Sequence, residues 1–208
     1  MNRDSIDLTQ KNLNNFPINP GDKTSFFSKD VIGQCPVCII DNGASKDTPM
    51  FKDIQNKGYP VEIILCLKNK DFYKIDFAGI LQDHLKNTYC PLSLMDNIVT
   101  ASHEAYSNAF LWSSLDLNPT KEIRPYDFCD QIEEQLKNPI YGDRLLGVYL
   151  ARMEKIIEVV FFIQGVPIKW PHSAQESNFR GTSIITQQTD KVEIDEDGKA
   201  IRLYFKNN

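Results

Sequence analysis

Two residues on one predicted helix have the types and the spacing to do chemistry. Glu104 and Asn108 stand four apart in the stretch 92-LSLMDNIVTASHEAYSNAFLWS-113, so a helix stacks their side chains one above the other. An acid and an amide beside a seam of small residues (Ala101, Ala105, Ala109) suit a ligand held close to the helix. The same spacing is met by a solvent-facing pair on an ordinary amphipathic helix, and that is the plainer reading of spacing alone. A second arrangement, Cys35-Pro-Val-Cys38, has the spacing of a redox pair or of half a zinc site. No second C-x-x-C or close Cys/His pair follows it, and the apolar residues after it read as a buried strand, where free cysteine is common.

The elements that must position these residues follow from periodicity. Leu94, Ile98, Ala101, Ala105 and Trp112 recur at helical spacing and give the helix a buried stripe. The preceding stretch, 71–90, predicts a helix with Phe77, Ile80, Leu81 and Leu85 on one face. The runs 144–153 and 156–165, joined by Glu154-Lys155, predict a β-hairpin whose second strand is apolar enough to be buried on both faces. Near the C-terminus a helix opened by Gly181 precedes a strand, the tight turn Asp195–Gly198 and a last strand. There Val192, Ile194, Ile201, Leu203 and Phe205 alternate as an antiparallel hairpin requires. Upstream, a strand at 35–41, a helix at 48–58 and a strand at 60–67 predict a βαβ unit with parallel strands. Thr48 and Gly58 are its expected helix caps, with Pro49 in the first turn. Asp41 reads as the polar end of the first strand, and His84 and His103 as structural or exposed. Trp170 reads as a core residue.

Glu104 with Asn108, then Arg180-Gly181, then Asp190-Lys191-Val192 and the closing hairpin stand in an order that resembles a known family. It is the small ATPase domain shared by histidine kinases and the anti-sigma-factor serine/threonine kinases. The resemblance covers about residues 72–206. It implies a histidine-kinase-like ATPase fold, ATP and Mg²⁺ as cofactors, and protein serine/threonine phosphorylation as the activity. Glu104 would be the general base, and Asn108 the magnesium ligand. Arg180, Gly181 and Thr182 would hold phosphate. In the family the second strand of the hairpin ends in an Asp that binds adenine, followed by Gly-x-Gly. Here Gln164 stands for the Asp, Gly165 is kept and Pro167 replaces the second glycine, which removes a backbone donor and fixes φ. A glutamine carbonyl can still accept from an amino group. The implied partner is a sigma factor or an anti-anti-sigma-like protein, and a homodimer is a further expectation.

Composition bounds these readings. Hydrophobic residues at 41% and charged residues at 25% describe a globular chain, and the formal net charge of −5 argues against nucleic acid or an anionic membrane as a partner. No stretch reaches the length of a membrane span, and the polar start lacks a secretory core, so a cytoplasmic protein is expected. The expected architecture is α+β: a two-layer α/β sandwich over 71–208 with an insert at about 118–143, a βαβ extension over 31–70 and an irregular leader over 1–30. The insert should hold a helix at about 126–137, with Glu133 and Glu134 on its solvated face. Two functional classes remain open: an ATP-dependent kinase-like regulator, and a nucleotide-free interaction module of the same fold. A small redox or metal protein built on Cys35 and Cys38 is a third.

Overall fold

Alternating apolar residues in a strand demand cover on one face or both, and six strands here meet that demand in one mixed sheet with an apolar layer on each side. The structure is a computed structural model and describes residues 37–41, 43–45, 47–58, 60–117, 125–168 and 180–207. The readings for the leader, for Cys35 and for Trp170 lie outside these residues. Strands β1 (Val37–Ile40) and β2 (Val61–Lys68) are parallel, joined by helix α1 (Pro49–Lys57). The sheet continues antiparallel through β3 (Leu145–Arg152), β4 (Ile156–Ile163), β6 (Ala200–Lys206) and β5 (Lys191–Ile194), in the order β1-β2-β3-β4-β6-β5. The βαβ unit therefore extends the sheet, with β2 paired to β3 from Val61 to Lys68.

Helices α2 (Asn69–Phe72), α3 (Phe77–Asn87), α4 (Leu92–Ser107), α5 (Pro125–Lys137), α6 (Pro139–Gly142) and α7 (Arg180–Gln188) complete the described α-helices. Phe77, Leu81 and Leu85 of α3, Ile98, Ala101 and Ala105 of α4 and Ile185 of α7 bury against Leu65, Val148, Val159, Phe161 and Leu203. The alternate strand residues, Ile64, Cys66, Tyr149, Val160 and Phe162, form the other face and receive Met50, Phe51 and Ile54 of α1. Part of the expected two-layer sandwich thus carries a third layer. The cause is the parallel crossover, whose hand fixes the face on which α1 lies.

Local chemistry explains the helix ends. Pro49 starts α1 where its missing N–H has no partner to lose, and Gly58, at φ 62°, closes it by donating to the Ile54 carbonyl at 3.1 Å. Thr48 makes no side-chain cap, contrary to expectation, because its Oγ1 accepts from the Ser45 N–H at 3.2 Å in the preceding turn. One larger difference concerns the long central helix. It is α-helical through Ser107 and then becomes a π-helix over Asn108–Ser114. The periodicity that places Trp112 on the buried stripe assumes a constant α-helical turn, and the wider π turn leaves Trp112 half-buried instead.

Candidate functional site

The sheet register places several expected site residues at one end of the molecule. Strands β2 and β4 finish there, and β3 and β6 begin: Lys68 pairs with Leu145, Leu146 with Ile163, and Phe162 with Ala200. The π-helix ends at the same place, since the Val166 N–H donates to the Ser113 carbonyl at 3.0 Å. Helix α7 starts beside the beginning of the π-helix, then leads to β5 at the opposite end, where Lys191 pairs with Tyr204.

Glu104, Asn108 and Gly181 come together. A Cβ added to Gly181 would lie 2.5 Å from Glu104 Oε2 and 3.2 Å from Asn108 Nδ2. The first turn of α7 therefore meets the acid–amide pair through bare backbone, and a larger residue there would have to displace the Glu104 carboxylate. Helix starts present N–H groups without intrahelical partners and carry a partial positive charge, which favours an anion. Glu104 supplies a carboxylate at that spot, and an anionic ligand would compete with it for the same groups. Glu104 and Asn108 are half-buried, while Gly181 and Thr182 are buried. Asn108 Oδ1 accepts from Trp112 Nε1 at 3.2 Å, which leaves one of its two lone pairs for another donor or a cation. The Arg180 side chain lies outside the described residues.

Gln164 and Gly165 sit at the far end of the π-helix, by Ser113 and Ser114. A Cβ on Gly165 would meet the Ser113 carbonyl oxygen, with the Ser113 carbonyl carbon at 2.7 Å and Ser114 Cα at 2.9 Å. Gly165 is thus required for close backbone packing, whatever else it does. Gln164 Oε1 accepts from the Leu145 N–H at 2.9 Å, and the Gln164 N–H donates to the Leu145 carbonyl at 3.2 Å. The side-chain carbonyl that would meet an adenine amino group is therefore already bonded to β3, with one lone pair left.

The residues fit a magnesium–phosphate group at one end and fit an adenine poorly at the other. Asn108 and the glycine-opened helix start have the right chemistry for the first. Pro167, which has no N–H, counts against the second, and the Gln164 oxygen, oriented by its bond to Leu145, has one lone pair left. Among the described residues no three His, Cys, Asp or Glu side chains gather as a metal-binding group. The magnesium site implied by the resemblance would draw on one amide and phosphate oxygens, so it needs no such group.

Other candidates resolve into structure. Cys38 is half-buried, and burial pushes its thiol up to about 11, opposite to the acidified thiol of a redox pair. Asp41 accepts from the Gly43 N–H at 2.6 Å in a turn after β1. Asp190 accepts from the Lys206 N–H at 2.7 Å and closes the last hairpin. His84 is buried and bonded to Glu62 at 2.8 Å, and His103 is exposed.

One polar cluster escaped the reading of the sequence. Glu158, fully buried in β4, pairs with Lys57 of α1 at 2.5 Å and with Arg202 of β6 at 3.5 Å. Arg202 holds Asp53 of α1 through two bonds of 2.9 Å, and the Tyr149 hydroxyl donates to Asp53 at 2.7 Å. The available signal was the lone acid in the apolar run 156-IIEVVFFI-163. A charge there must find partners from outside the strand.

No protein-family model matches the chain, and a search of curated proteins finds no match. No described helix is long and apolar enough to cross a membrane.

Proposed function

We propose that this chain is a regulatory protein of the histidine-kinase-like ATPase fold, close in kind to the anti-sigma-factor serine/threonine kinases. The observation that carries the reading is the meeting of Glu104, Asn108 and the Gly181 helix start. They come from two separate motifs of the resembled family, both of which the resemblance assigns to one magnesium–phosphate site. In this reading Mg²⁺·ATP supplies the phosphoryl group. Asn108 offers its remaining Oδ1 lone pair to the cation, and the first N–H groups of α7, at Gly181 and Thr182, hold phosphate oxygens. Glu104 takes the proton from the hydroxyl of a protein substrate, a sigma-factor regulator of the anti-anti-sigma type being the implied class. Arg180 adds a cation beside the phosphates.

A second reading keeps the fold and drops the nucleotide. It is favoured by Gln164, whose carbonyl is bonded to β3, and by Pro167 in the place of a glycine. The domain would then act by binding and sequestering its partner. Calorimetric titration with Mg²⁺·ATP on the wild type and on Asn108→Ala separates the two. Binding that disappears in the variant supports the first. Absence of binding to the wild type at millimolar ATP removes it and leaves the interaction module.

A further inference from the structure

The last carbonyls of a helix have no partners within the helix and must find them elsewhere. In the π-helix, which begins at Asn108, the last two find them in distant turns. The Ser113 carbonyl accepts from the Val166 N–H at 3.0 Å, and the Ser114 carbonyl from Arg144 Nη1 at 2.7 Å. Ser114 Oγ accepts from Asn69 Nδ2 at 2.8 Å and donates to Asn69 Oδ1 at 2.9 Å. Asn69 is itself fully buried and fixed, donating from its backbone N–H to the Arg144 carbonyl at 2.9 Å and from Nδ2 to the Tyr141 carbonyl at 2.8 Å. Neither Asn69 nor Arg144 belongs to the family motifs used above.

We infer that Asn69 and Arg144 are positioning residues for Asn108, acting through the π-helix; the inference rests on the reading of Asn108 as the magnesium-side residue. Helix α4 is held at one end of the segment by the buried Ile98, Ala101 and Ala105. Asn69 and Arg144 hold the other end at Ser114, beside the Val166 bond to Ser113. A π turn carries more residues than an α turn, so a segment pinned at both ends keeps the wider winding only while both pins hold. Released at Ser114, it can rewind toward the α form, in which each residue advances by about 100° around the axis. Asn108 lies at the boundary between the two windings, and its amide would turn with it. Trp112 reports this directly, because its indole N–H donates to Asn108 Oδ1 at 3.2 Å.

The test uses the full chain carrying Trp170→Phe, so that Trp112 is the one remaining tryptophan. Asn108→Ala removes the indole acceptor and defines the emission change expected when that bond is lost. Arg144→Gln and Asn69→Ala should reproduce a substantial part of this change, although neither residue is bonded to Trp112. Arg144→Lys, which restores a donor toward Ser114, should bring emission back toward the parent. Far-UV circular dichroism checks that each variant is folded, and Arg144→Gln serves if the buried Asn69→Ala does not fold. Unchanged Trp112 emission in folded Arg144→Gln overturns the inference. If Mg²⁺·ATP binds, Arg144→Gln should also weaken it by about two- to thirtyfold. If emission shifts while no nucleotide binds the parent, the nucleotide reading fails and the control of Asn108 by Arg144 stands.

Discussion

Gly181 approaches Glu104 so closely that a methyl group on its Cα would lie 2.5 Å from the Glu104 carboxylate oxygen Oε2. The obstacle is the far end of a flexible side chain, so Gly181→Ala should fold with Glu104 displaced. The expected cost is about 1 kcal/mol, since overpacking is partly offset by the better helix propensity of alanine. In a Glu104→Ala background that cost should vanish or reverse. Urea denaturation of the two single variants and the double variant measures the coupling. Strict additivity would show that the two residues do not meet.

Gly165→Ala should behave differently, because what it meets is backbone. The added carbon would strike the Ser113 carbonyl group and lie 2.9 Å from Ser114 Cα, at the end of the π-helix. Backbone cannot rotate away as a side chain can. A loss of about 3 kcal/mol is expected, read as a lower urea midpoint. A loss no larger than that of Gly181→Ala would contradict the packing described at this corner.

The ion pairs beneath α1 should matter more than those on the surface. Arg202→Met removes both bonds to Asp53 and the contact with Glu158, leaving Asp53 with Tyr149 and Glu158 with Lys57. Its cost should approach about 3 kcal/mol, as for other buried pairs broken on one side. Lys191→Met, which breaks an exposed pair with Glu193 at the sheet edge, should cost less than about 1 kcal/mol. Equal losses in thermal denaturation would refute the distinction.

Acid should loosen the fold at Glu62 and Asp53. Burial pushes both carboxyls up, but the combined donors prevail and hold them below their ordinary values: His84 and Arg152 for Glu62, Arg202 and Tyr149 for Asp53. A depressed folded value contributes stability above the unfolded value, and that contribution is lost as pH falls through the folded one. Stability should therefore decline from about pH 5 downward. Glu62→Gln should be less stable at neutral pH yet show a shallower decline, followed by urea midpoints across that range. An unchanged acid slope would mean that Glu62 does not contribute.

Much of this molecule is a local property of its sequence. Alternation in 191–194 and 200–206 marks strands, Gly198 at φ 67° marks their turn, and Pro49 and Gly58 bracket α1. The four-residue spacing of Glu104 and Asn108 places them on one helical face wherever that helix sits. These features depend on neighbours within a turn or two, so the sequence by itself determined them. Tertiary structure decided what no local pattern encodes. It set Gly181 against Glu104, bonded the Gln164 carbonyl to Leu145, and gathered partners from three other elements around Glu158. It also wound Asn108–Ser114 as a π-helix, because anchors at Arg144, Asn69 and Val166 fix where its end must lie. Each is a contact between surfaces far apart in the chain. Such contacts are selected by packing and by the need of every buried polar group for a partner, and both are settled only when the whole sheet is assembled.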